Sequence, residues 1–65
     1  MDYETDKYEV DLWQNTLVMT CKETGTLRQV SLKTNGRAST EREFKSAIKS
    51  HGIDRACETF WKLSA

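Results

Sequence analysis

A chain of 65 residues with 10 Lys+Arg, 10 Asp+Glu and one histidine carries no net charge. That length allows one small domain, and the balance excludes the strongly basic footprint of an autonomous nucleic-acid binder. The longest apolar run, Leu17-Val18-Met19, is far short of the ~18 residues of a membrane span, and the acidic start Met1-Asp2-Tyr3-Glu4 is unlike a secretory signal, so a cytoplasmic location is expected.

Residues 1–6 show no period and are expected to fray. Tyr8, Val10 and Leu12 then alternate with Glu9 and Asp11, the period of a half-buried strand, and Trp13 falls on the side of the two acids. Gln14-Asn15 reads as a turn. In the next strand Leu17, Met19 and Cys21 share one face, while Val18, Thr20 and Lys22 share the other. It ends at Glu23-Thr24-Gly25, where glycine supplies a positive φ. A third strand is predicted from Thr26 to about Lys33, with Arg28, Val30 and Leu32 on one face, Leu27 on the other, and Asn35-Gly36 as the closing turn. Short connections favour an antiparallel meander.

The period then changes. Thr40-Glu41-Arg42-Glu43 fits a capping box, so a helix is predicted from about Glu41. Phe44, Ala47, Ile48 and His51 form one stripe at 100° per residue, whereas Ile53, Ala56, Cys57, Phe60 and Leu63 form another, rotated by roughly 150°. Gly52 lies at the phase break and Asp54 can cap a second helix, so two helices are predicted, about 41–51 and 54–63. The expected architecture is α+β: a three-stranded antiparallel meander within residues 7–33, then two short C-terminal helices within 40–63 packed on one face (βββαα), in a single domain 1–65.

No reaction is legible. His51 has no metal-binding or catalytic neighbour, and none of the three glycines sits in a phosphate-cradling loop. Cys21 and Cys57 match neither a redox pair nor a zinc spacing and read as reduced, buried thiols. The expectation is a protein that is not an enzyme, with no cofactor, metal or small-molecule substrate.

What remains is surface. Residues 1–14 set five carboxylates against Lys7, a net −4, and the rest of the chain compensates with +4. Trp13, beside Glu9 and Asp11, is a candidate interaction anchor; Trp61 is either core or offered to a second subunit. These four residues define the favoured reading, a non-enzymatic microbial or phage accessory protein that docks on a protein partner or forms a homodimer. The alternative is nucleic-acid binding through Arg37, Arg42, Lys45 and Lys49, a basic stripe without interleaved aromatics. Ile48-x-x-x-Gly52 resembles a helix-turn-helix turn, but Glu58 occupies a position that motif keeps apolar. The order of strands then helix is similar to that of small sheet-type DNA readers, with no residue motif in common.

Overall fold

In the computed structural model, which describes residues 2–14, 16–31 and 40–64, the alternating segments form an antiparallel sheet of four strands. These are β1 (Tyr3–Glu4), β2 (Tyr8–Trp13), β3 (Thr16–Cys21) and β4 (Leu27–Val30), each paired with the next in sequence. Two helices complete the chain, α1 (Thr40–His51) and α2 (Ile53–Leu63). The inward parity of the strands supplies Tyr8, Val10, Leu17, Met19 and Val30 to one core, closed by Phe44 of α1 and Ala56, Cys57 and Phe60 of α2.

The strand count is four rather than the three predicted, because the amino terminus is tied down. Tyr3 pairs with Val10 and Glu4 with Glu9. The Asp2 N–H donates to the Val10 carbonyl at 2.9 Å, and the Leu12 N–H donates to Asp2 Oδ2 at 2.7 Å. Thr5 Oγ1 accepts from the Tyr8 N–H at 3.0 Å, closing the β1–β2 turn. The Tyr3 ring meets Phe44 edge to face at 5.4 Å, and Phe44 meets Phe60 in the same way at 5.2 Å. Such pairs are worth about 0.5–1.5 kcal/mol beyond their burial. Phe44 thereby joins the first strand to both helices.

β2 and β3 pair from Tyr8↔Cys21 to Trp13↔Thr16, and Gln14, which succeeds β2, has φ 46, the left-handed sense that tight hairpins require. Gly25 at φ 74 turns β3 into β4, donating to the Cys21 carbonyl at 2.7 Å. β4 registers as Leu17↔Val30 through Thr20↔Leu27, with Arg28 and Val30 inward as predicted. Leu32, Lys33 and the Asn35-Gly36 turn lie outside the described residues.

The helix break falls at Gly52, as the two apolar stripes require. Its φ is 90 and its ψ 159, its N–H completes α1 on the Ile48 carbonyl at 2.8 Å, and its carbonyl begins α2 on the Ala56 N–H at 3.0 Å. Asp54 is not the cap: Gly52 holds that position without a side-chain bond, and Asp54 sits in the first turn, where a carboxylate complements the helix dipole. α1 begins at Thr40 rather than Glu41, and Thr40 is fully buried. His51, predicted within the α1 stripe, is exposed, and so is Leu63 at 56%.

Candidate docking face

The helices cover one side of the sheet, and no described element covers the other. Strand parity and register together determine what that open side presents. Glu4, Glu9, Thr20 and Leu27 form one row across all four strands; Asp11, Val18 and Gln29 form the next; Trp13 and Thr16 form the third. Trp13 is 62% exposed and Leu27 57%, while Val18 between them is half-buried. Thus Glu9, Asp11 and Trp13, singled out from sequence, share one surface. Sequence reasoning missed Glu4, Val18 and Leu27 as part of it. The parity of Val18 and Leu27 points outward from sequence alone, but their place beside Asp11 and Thr20 depends on the register of β4.

The electrostatics of this face are one-sided. Glu4 and Glu9 stand directly opposite each other across β1 and β2, an arrangement of like charges that destabilises a strand pair. The Lys22 ammonium pairs with Glu4. Glu9 forms no ion pair among the described residues. Asp11 adds a third carboxylate two positions along β2.

Trp61 belongs elsewhere. Its ring is half-buried on the helix side, tilted against Tyr8 at 5.3 Å and capped by the Arg28 guanidinium 4.3 Å from its centroid. Arg28 Nη1 also donates to the Trp61 carbonyl at 3.2 Å and to Ser64 Oγ at 3.4 Å. Ser64 Oγ donates to the same carbonyl at 2.6 Å. A cation placed on the last carbonyls of α2 satisfies acceptors that the helix end leaves open. Trp61 therefore fastens β4 to α2, and it does not join Trp13 in one surface.

Arg42, Lys45 and Lys49 are exposed on α1, while Arg37 lies outside the described residues. Glu41 Oε1 accepts from Lys45 Nζ at 2.9 Å, and that bond, together with the carboxylate's charge, raises the Lys45 pKa.

Two shallow depressions complete the surface. One of about 250 Å³ lies between the β1–β2 turn and α2, lined by Thr5, Asp6, Lys7, Tyr8, Asp54 and Glu58, with Lys7 Nζ 3.3 Å from Glu58 Oε1. The other, about 380 Å³, runs between the helices past Ser46, Ala47, Ser50, His51, Phe60 and Leu63. No group of three or more His, Cys, Asp or Glu suited to a metal occurs among the described residues. Both cysteines are free thiols. Cys57 is buried as predicted, and burial pushes its pKa up to about 11. Cys21 is only half-buried, and the Thr24 side chain's hydrogen bond, with backbone N–H support, lowers its pKa. No helix among the described residues is long and apolar enough to cross a membrane.

No protein-family model matches the chain, and neither a curated protein nor a solved structure is significantly similar to it.

Proposed function

We propose that this chain is a non-catalytic interaction domain that docks a protein through the open face of its sheet. The observation that carries this reading is Trp13. A tryptophan 62% exposed, on the one sheet face that no described element covers, is costly to leave in water and is among the side chains that dominate protein interfaces. Leu27 and Val18 extend the apolar surface, and Glu4, Glu9 and Asp11 give it a polar rim, the anatomy of a docking patch. Phosphate binding by α1 has less support, since Lys45 already answers Glu41 and the nearby open face would repel a polyanion.

The test compares wild type with Trp13→Ala, a change at an exposed site that should leave the far-ultraviolet circular dichroism unchanged. Proteins retained by the immobilised chain from a lysate of the source cell should be lost by Trp13→Ala and kept by Lys62→Ala on α2. Equal retention by wild type and Trp13→Ala would refute the face.

A further inference from the structure

Resting on that reading, we infer that the occupant of the open face is cationic: a protein segment presenting Lys or Arg next to an aliphatic side chain. The fold does not need the arrangement of charge that this face carries. Two glutamates directly opposite on one strand pair weaken that pair, and any neutral or basic residue at position 9 would be better for the isolated domain. Lys22 answers only Glu4, so the Glu9 carboxylate remains without an ion pair among the described residues. Asp11 lies on the same face, and next along β2 comes the exposed ring of Trp13. A carboxylate pair running up to an indole face is suited to a guanidinium or ammonium, which gains charge complementarity at one end and a cation–π contact at the other. The molecule already shows the second contact internally, where Arg28 lies 4.3 Å over Trp61. Val18 and Leu27, in the rows of Asp11 and Glu9 respectively, offer apolar contact to a neighbouring aliphatic side chain.

The same charges argue against a second copy. A two-fold pairing of this face would bring two sets of Glu4, Glu9 and Asp11 into one interface, and like charges desolvated together cost several kcal/mol. They oppose nucleic acid for the same reason. The acidic face therefore both attracts the cationic partner and rejects these two competitors.

A labelled peptide of alternating Arg-Arg and Leu-Leu pairs, and its counterpart with Glu in place of Arg, serve as probes in fluorescence anisotropy at low salt. The arginine peptide should bind wild type at least ten-fold more tightly than Trp13→Ala or the double variant Glu9→Lys, Asp11→Lys, and the double variant should prefer the glutamate peptide. Asp54→Asn, across the molecule at the start of α2, should bind as wild type does. Indifference of the arginine peptide to the charge reversal, or equal affinity for the two peptides, overturns the inference. A dimer seen by light scattering and lost in Trp13→Ala would overturn the cationic occupant while sustaining the docking face. Arginine-peptide binding unchanged in Trp13→Ala, together with unchanged lysate capture, would sink the face itself.

Discussion

Gly52→Ala isolates the backbone conformation on which the helical layer depends. With φ 90 and ψ 159, Gly52 occupies a region essentially closed to residues with a Cβ. A Cβ built there would have no other atom within 4 Å, so crowding contributes nothing and the whole effect is conformational. Strain of this kind costs about 1–3 kcal/mol. In a domain of this size each kcal/mol shifts Tm by roughly 4–8 °C, so a mid-range value lowers it by about 8–16 °C. Urea and thermal unfolding followed by circular dichroism would measure it. A chemically synthesised chain with D-alanine at position 52 supplies the control, because for a D-residue these angles mirror the ordinary β region. That chain should match or slightly exceed wild type. If Gly52→Ala instead left Tm unchanged, or raised it with a gain in helicity, α1 and α2 would be one continuous rod in solution and the reasoning would fail.

Phe44→Ala removes the ring shared by β1, α1 and α2. Its cost of about 3–5 kcal/mol is comparable to the whole stability of roughly 3–10 kcal/mol expected for 65 residues, so the cooperative melt should vanish or move far toward room temperature. A melt within a few degrees of wild type would contradict the core. Glu9→Lys replaces an opposed pair of like charges with an attractive one, and should raise the urea midpoint by an amount worth up to about 1 kcal/mol while weakening the partner complex; a lower midpoint counts against the pairing of Glu4 with Glu9. Cys57 stays protonated in the folded chain up to about pH 11, whereas the unfolded thiol ionises near its ordinary value of 9.0. Stability is therefore full below pH 9 and falls as pH rises toward 11, by about 2 kcal/mol at roughly 1.36 kcal/mol per pKa unit, and Cys57→Ala should flatten that slope. At neutral pH a thiol reagent should modify Cys21, with its lowered pKa, well before Cys57, and equal rates would contradict the burial of Cys57.

Periodicity made much of this architecture legible. The rotation between the Phe44 stripe and the Phe60 stripe forces a break, and Gly52 is the residue able to make it. Parity along β2 places Trp13 with Glu9 and Asp11 from sequence alone, because adjacent strand residues face opposite ways. β1 escaped notice because two residues cannot display a period; what holds Tyr3 is an aromatic contact with Phe44, far along the chain. Trp61 was legible as an amphipathic helix residue but not as one side of a clasp, since Arg28 reaches it through tertiary packing that no local pattern encodes. The opposition of Glu4 and Glu9, central to the electrostatics of the open face, depends on the same hidden strand.

The most direct measurement of the central claim places a photo-cross-linking phenylalanine analogue at position 13 or, separately, at position 49 on the basic side of α1, with irradiation in the source cell. Adducts formed from position 13, joined to Lys- or Arg-bearing segments of a second protein and absent from position 49, are the result the account predicts. Adducts from position 49 alone, or from position 13 only to another copy of the same chain, would contradict it.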